Sequence, residues 1–213
     1  MAYYSDLSPY DYYDFDVAMV NVGWLDALHT FETGAVSTEF VDALILCAVD
    51  SEQQMRGYHH CEFCEEESPI SVKRPDGSRY VRLGSAEIHA VAEDGQRYSA
   101  PNLVVHYVLA HNYRPPAEFR AAVIHDNATR SRPAYTCPVC GYPELREPAT
   151  DSDAISGQRC PSCGVRFNMD LPGTSAEELR KVWVEAGRPW SSPWEPEALD
   201  WDPITQLKTV DRG

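Results

Sequence analysis

The sequence predicts an α+β fold in two parts, and three observations carry that expectation. Apolar residues recur at helical spacing in several windows, two Asp-Gly turns join short β-like runs, and six of the seven cysteines form three C-x-x-C pairs. The first part, residues 1–130, is expected to be an acidic α+β domain in which helices accompany a small antiparallel meander. The second part, residues 131–213, is expected to be a small cysteine-knuckle domain with a C-terminal helix. The polar, proline-containing segment from Asp126 to Ala134 marks the boundary.

The elements follow in order. The opening, Tyr3 to Asp14, mixes tyrosines with acids, is too aromatic for a disordered tail and is expected to lie over the domain surface. Residues 38–50 read as a helix, with apolar side chains at 40, 41, 44, 45 and 48 and Ser37 or Thr38 as N-cap. Cys47 lies on its apolar side, where it serves as a small hydrophobe. The turn Pro75-Asp-Gly-Ser joins Ile70–Arg74 to Arg79–Leu83, and Asp94-Gly95 joins Ala86–Ala92 to Arg97–Ala100. Pro101 is expected to open a helix through Leu103, Val104, Tyr107 and Val108 that stops near His111-Asn112. A short helix follows Pro116, with Phe119, Ala122 and Val123 inward. In the second part, Thr174-Ser-Ala-Glu177 reads as a capping box opening a helix whose inner face is Leu179, Val182, Trp183 and Ala186, ended by Gly187. Trp190, Trp194 and Trp201 then stand among prolines in an irregular tail that wraps the small domain, where tryptophan supplies area that a short core lacks.

Composition narrows the function classes. The 213 residues carry 33 acids against 18 bases, a net charge of −15, with 43% hydrophobic residues, as in a globular protein. The acidity argues against phosphate-backbone binding, which needs a basic footprint. The N-terminus lacks a basic n-region and an apolar h-region, and no apolar run reaches the length of a membrane span, so a cytoplasmic protein is expected. Residues 1–55 hold ten acids and no Lys or Arg. Such a field steers a basic protein partner, with Asp11, Asp14 and Asp16 as steering charges and Tyr10, Tyr12 and Tyr13 as contact anchors.

The cysteines point to metal. Cys137-Pro-Val-Cys140 and Cys160-Pro-Ser-Cys163 are separated by 19 residues, the C-x2-C-x19-C-x2-C spacing of a zinc ribbon. Gly141 and Gly164 follow the second cysteine of each pair, where the backbone must turn its amides toward the thiolates. Four thiolates leave no open coordination position, so this Zn²⁺ would be structural. In the first part, Cys61-Glu-Phe-Cys64 and His106…His111 give a C-x2-C…H-x4-H set for a second Zn²⁺, with a long insert of 41 residues between its halves. Histidines five apart do not converge from an ideal helix, so the last turn must loosen near Asn112. His59, His60 and His89 compete as ligands, and reduced cysteines without a metal are the plain alternative. Glu65-Glu66-Glu67 reads as a solvated turn. No G-x-S-x-G, phosphate loop, dinucleotide fingerprint or H-E-x-x-H occurs.

The span from Tyr135 to Val210 resembles bacterial cysteine-rich CPCC-type domains. Cys137-Pro-Val-Cys140-Gly-Tyr-Pro, the second Cys-Pro-Ser-Cys-Gly, Trp183…Gly187…Trp190 and Trp201-Asp-Pro-Ile-Thr-Gln-Leu-Lys carry the likeness, with Val139 standing where that pattern has a third cysteine. The span from Asp6-Leu-Ser-Pro-Tyr to Phe119 is similar to an uncharacterised bacterial family through Asn21-Val-Gly-Trp-Leu, Gln54-Met-Arg-Gly, Cys61-Glu-Phe-Cys64, Ala86-Glu-Ile and His106-Tyr…His111-Asn-Tyr-Arg-Pro-Pro-Ala-Glu-Phe. The resemblance implies little about activity; small acidic proteins of this kind look like immunity or accessory proteins of bacterial conflict systems, which is association rather than mechanism. The expected function is therefore a non-enzymatic, zinc-stabilised protein-binding module. A zinc-dependent hydrolase with an open first site and Glu62 or Glu65 as base is the first alternative, and a nucleic-acid-binding ribbon, helped by Arg159 and Arg166, is the second.

Overall fold

The computed structural model describes residues 3–13, 17–130, 135–145, 148–149, 158–171, 173–193 and 195–210; Asp14, Asp16 and Trp194 lie outside them. The chain divides into two compact units, Met1–Arg130 and Ser131–Gly213. The class is α+β, with short strands, small sheets and helices.

In the first unit, β1 (Met19–Asn21) is followed by α1 (Thr38–Val49), β2 (Ser71–Lys73), β3 (Tyr80–Arg82), β4 (Glu87–Val91), β5 (Arg97–Pro101), α2 (Val104–His111) and α3 (Ala117–Thr129). The Ser37 hydroxyl caps α1 by accepting from the Phe40 N–H, and Phe40, Ala43, Leu44, Ile45, Cys47 and Ala48 are buried on its inner face. Helix α1 packs on α3 and β4, so the core is a helical layer over a sheet.

Both expected hairpins form, but they do not join into one meander. Strands β2 and β3 make a two-stranded sheet of their own, and β4–β5 belongs to a three-stranded sheet of order β1-β5-β4. Strand β1 pairs parallel to β5, Met19 opposite Arg97 and Asn21 opposite Ser99. A three-residue strand whose partner lies so far along the chain leaves almost no local pattern, which is why the sequence did not announce it. The tyrosine-rich opening runs along the outer edge of β1: the Leu7 N–H donates to the Asn21 carbonyl at 2.8 Å and the Tyr10 N–H to the Met19 carbonyl at 2.9 Å. It thereby covers an edge that would otherwise be open.

Three boundaries differ from the expectation. Pro101 ends β5, and α2 begins three residues later. Helix α3 runs to Thr129, longer than the short helix expected, and its side chain Asp126 is buried because it receives the Arg130 guanidinium at 2.7 Å. In the second unit, which contains α4 (Phe167–Asp170), α5 (Ala176–Glu185) and α6 (Pro203–Leu207), the capping box is Ser175 with Glu178, one residue beyond the expected pair. Of the expected inner face, Trp183 is buried and Leu179 packs against the second core, whereas Val182 is 65% exposed and Ala186 is exposed. Trp190 and Trp201 meet edge-to-face at 5.3 Å and join the second core.

Candidate metal centres

The first centre joins an irregular segment to α2. Cys61 and Cys64 sit between α1 and β2, a stretch without regular structure, and α2 presents His106 and His111. The helix loosens where the spacing requires it: Asn112 takes a left-handed conformation at φ 53°, and the Tyr107 carbonyl accepts from the Asn112 N–H and, at 3.1 Å, from the Tyr113 N–H. The two imidazoles then bring their Nε2 atoms to 3.1 Å of each other. Cys61 Sγ lies 3.2 Å from His111 Nε2 and Cys64 Sγ 3.3 Å from His106 Nε2. All four donor atoms fall within 4.8 Å of one another, so they could hold a metal ion.

The surroundings orient these donors. Phe63 packs edge-to-face on Phe31 and Tyr107, wedging the Cys61–Cys64 turn against α2. The Phe63 N–H points at Cys61 Sγ over 3.4 Å, and the Glu66 carboxylate lies 3.6 Å from His106 Nδ1, the nitrogen facing away from the cluster. Burial pushes the Cys61 thiol pKa up, and burial together with the neighbouring His111 pushes His106 down against the pull of Glu66. A neutral imidazole is the ligand form; the buried thiol needs a cation beside it before it gives up its proton.

The competing histidines lie elsewhere. His60 is exposed, and His59 is fixed by its backbone, its N–H donating to the Gly84 carbonyl at 2.8 Å. His89 stands between Glu52 (3.1 Å) and Glu87 (3.0 Å). Glu65, Glu66 and Glu67 are exposed. The Glu62 carboxylate, the base of the hydrolase alternative, accepts the Ala27 N–H at 3.2 Å.

The second centre is built from two matching knuckles. In the first, the Gly141 N–H donates to the Cys137 carbonyl at 2.9 Å and the Cys137 N–H to the Tyr142 carbonyl at 2.8 Å. In the second, the Gly164 N–H donates to Cys160 at 2.8 Å and the Cys160 N–H to Val165 at 2.9 Å. Each knuckle needs a left-handed residue after its second cysteine, and Gly141 (φ 79°) and Gly164 (φ 78°) supply it. Sγ of Cys137 lies 3.8 Å from that of Cys163, and Cys140 is 3.6 Å from Cys160, the four again within 4.8 Å. Crowding four thiols drives their acidities apart: hydrogen bonds from its neighbours favour the thiolate at Cys140, while those of Cys160 and Cys163 are pushed up. A bound cation removes that conflict by favouring four thiolates.

Two side chains that the sequence did not single out lock this centre. Arg180 on α5 donates to the carbonyls of Val139 (2.9 Å) and Pro138 (2.8 Å). Gln206 on α6 donates to the Cys140 carbonyl (3.0 Å) and the Ser162 hydroxyl (2.9 Å), so one amide bridges both knuckles. Lone Arg and Gln residues carry no motif, and only the Trp201…Lys208 run hinted at a role for the tail.

Among the described acids of residues 1–55, Asp6, Asp26 and Glu52 show internal side-chain partners. Asp6 accepts from the Tyr113 hydroxyl and the Gly23 N–H, both at 2.8 Å, Asp26 pairs with His29 at 2.7 Å, and Glu52 pairs with His89. Asp11, Glu32 and Glu39 are exposed. Among the described residues no helix is long and apolar enough to cross a membrane.

No curated protein and no solved structure matches the chain. A family described as a domain of unknown function (DUF7919) matches residues 2–124, more than half the chain, and the chain belongs to that family. The match takes in every donor of the first centre.

Proposed function

We propose that the chain is a non-enzymatic, zinc-stabilised binding module that recognises a basic protein. One observation carries the reading: each centre supplies four protein donors, two sulfurs with two nitrogens or four sulfurs, so neither leaves a position for water or substrate. The sulfur–sulfur edges of 3.6 and 3.8 Å match the ~3.8 Å edge of a tetrahedron with metal–sulfur bonds of ~2.3 Å. Soft thiolates and imidazoles suit zinc over magnesium or calcium. Paired knuckles flanked by minimal β-bridges, Tyr135 with Leu145 and Arg159 with Arg166, support a ribbon-like second unit. The exposed acids of the first 55 residues and the net charge of −15 favour a basic partner over nucleic acid.

The hydrolase alternative has less support, because it needs one of the four first-centre donors to be elsewhere and Glu62 or Glu65 to serve as base, and the Glu62 carboxylate accepts the Ala27 N–H. Cobalt substitution tests the reading. Two Co²⁺ per chain with the intense visible bands of tetrahedral sulfur ligation are expected, together with capture of a basic protein that weakens as salt rises. A first centre with the weak bands of a water-ligated, five-coordinate ion overturns it.

A further inference from the structure

A cleft in the first unit uses none of the metal-centre donors, and its lining includes Tyr12, Trp24, Met55, His59, Pro101 and Glu87. Its aromatic wall is fixed. The Trp24 indole N–H donates to the Ser99 carbonyl at 3.3 Å, the rings of Tyr4 and Tyr10 pack on the indole at 5.8 and 6.5 Å, and the Tyr12 ring lies 6.0 Å from it at a tilt of 38°, so Trp24 is 6% exposed and meets the cleft only where it lines it. Tyr12 itself is 44% exposed, so the wall is open on that side.

Glu87 supplies the charge. It is 5% exposed, an unusual burial for a carboxylate, and its hydrogen bonding is lopsided. Oε2 accepts from Ser99 (2.8 Å) and His89 (3.0 Å), and the one Tyr10 hydroxyl proton is shared between Oε2 (2.9 Å) and Oε1 (3.0 Å), the sole donor to Oε1 among the described residues. His89 lies between Glu87 and Glu52, so one imidazolium faces two carboxylates; Arg130, which donates to the His89 carbonyl at 2.8 Å, and Arg97 offset the Glu52 side and leave Glu87 as the carboxylate in the cleft lining. That charge reaches the aromatic rim: burial first, then Glu87, raises the Tyr10 hydroxyl, and Glu87 also contributes at Tyr13 behind burial and Tyr12.

These features select a chemistry. Ring faces with their negative quadrupole, beside a buried anion, favour a cation. Besides Glu87 the side chains of the lining that can accept a hydrogen bond are Gln53, His59 and the Tyr12 hydroxyl, and the rest of the wall is apolar, with rings, a thioether and a proline, so a small ammonium with three directional donors is not what most of this surface fits. A guanidinium seeks both oxygens of a carboxylate, and Oε2 already holds two donors and shares a third. A methylated ammonium needs no directional partner and presents an apolar shell around its charge. We propose that this cleft binds a quaternary ammonium head group, packed on Tyr12 and Trp24 and balanced by Glu87.

The test titrates the metal-loaded full chain with choline and with its neutral isostere 3,3-dimethylbutan-1-ol, following the indole N–H resonances by NMR. Choline is expected to saturate and to bind about tenfold more tightly than the isostere, the margin that a desolvated cation–π contact supplies. Tyr12→Leu, at an exposed position that leaves the fold intact, should erase most of that margin, as should Glu87→Gln. An N-trimethyl-lysine amide distinguishes a protein-borne head group, which it outcompetes choline to indicate, from a free one. Equal affinity for choline and the isostere, or no saturation by choline, overturns the proposal. So does full choline binding by Tyr12→Leu.

Discussion

Replacing Glu52 with Gln isolates the electrostatics of the buried His89 cluster, because Glu52 is its accessible arm. The Glu52 side chain is 50% exposed, while those of His89 and Glu87 are 13% and 6% exposed. Burial opposes charge on His89, yet hydrogen bonds to Glu52 and Glu87 outweigh it and raise its pKa from 6.5 to about 9. Glu52 is lowered in turn, first by its hydrogen bond to His89. At ~1.4 kcal/mol per pH unit, the rise at His89 corresponds to about 3 kcal/mol of native-state stabilisation. The sign follows from the direction. A histidine raised by folding contributes in full below its unfolded value of 6.5, and the contribution is lost as pH climbs through about 9. Glu52 is the larger contributor to that rise, ahead of Glu87, but at 50% exposure solvent screens its carboxylate, which discounts its share to about 1 kcal/mol. Glu52→Gln is therefore expected to destabilise the chain by about 1 kcal/mol near pH 6.5 and by almost nothing near pH 10, and to lower the His89 midpoint by ~0.7. Urea unfolding at the two pH values and an NMR titration of the His89 ring measure both quantities in one protein. A wild-type His89 midpoint near 6.5, or a variant equally destabilised at both pH values, refutes the reasoning.

Two further outcomes are expected. Cys160→Ser should retain one zinc per chain by metal analysis and should collapse the indole resonances of Trp183 and Trp190, while the first unit keeps its dispersed spectrum, because folding of the second unit is coupled to its metal; a second unit that still melts cooperatively without metal contradicts this. Ser175→Ala removes the hydroxyl that accepts the Glu178 N–H at 3.2 Å, and with it half of the capping box. It should cost about 1 kcal/mol in thermal unfolding of the second unit, whereas Thr174→Ala, one residue earlier, should cost far less.

What was legible in the sequence was whatever repeats or turns locally. The α1 face at 40, 44, 45 and 48, the two Asp-Gly hairpins and the cysteine knuckles all declare themselves within a dozen residues. The four donors of the first centre were also readable, since C-x2-C and paired histidines are chemically conspicuous at any separation. Non-local pairing was not readable. Strand β1 finds β5 across most of the first unit, and the split into two sheets depends on that pairing rather than on either hairpin. The capping box was misplaced by one residue because Thr174-x-x-Glu177 and Ser175-x-x-Glu178 satisfy the same pattern. Both patterns lie one residue apart, and the structure uses Ser175, whose hydroxyl accepts the Glu178 N–H while the Glu178 carboxylate accepts the Ser175 N–H. The roles of Arg180 and Gln206 were hidden for a different reason, since each acts on backbone carbonyls and leaves no pair to read.

If both centres bind metal as proposed, they should carry unequal shares of their units' stability, and the cores are the reason. Among the described residues the first unit buries a cluster of 25 apolar residues, and Cys61 is the one donor of its centre in that cluster. The second buries nine, of which Cys137, Cys140 and Cys160 are themselves donors, with Cys163 packed against them. Removing metal from the second centre thus leaves crowded, buried thiols in place of the middle of the core, and a core that small has little else to hold it. In the first unit the loss falls on the segment between α1 and β2, about twenty residues with no helix or strand. Such a stretch inside a compact domain needs anchors. Its backbone is held to the later stretch around β3 and β4 by Glu52 with Glu87, Met55 with Ser85 and His59 with Gly84, and by Ile70 with Leu83, and the Cys61–Cys64 turn adds a further anchor through α2. The first three also hold Met55 and His59 in the cleft wall beside Glu87, so an ion at the first centre steadies the far end of the same segment. On the proposed reading, metal at the second centre would make a fold possible, whereas metal at the first would set the position of a loop on a fold that already has its core.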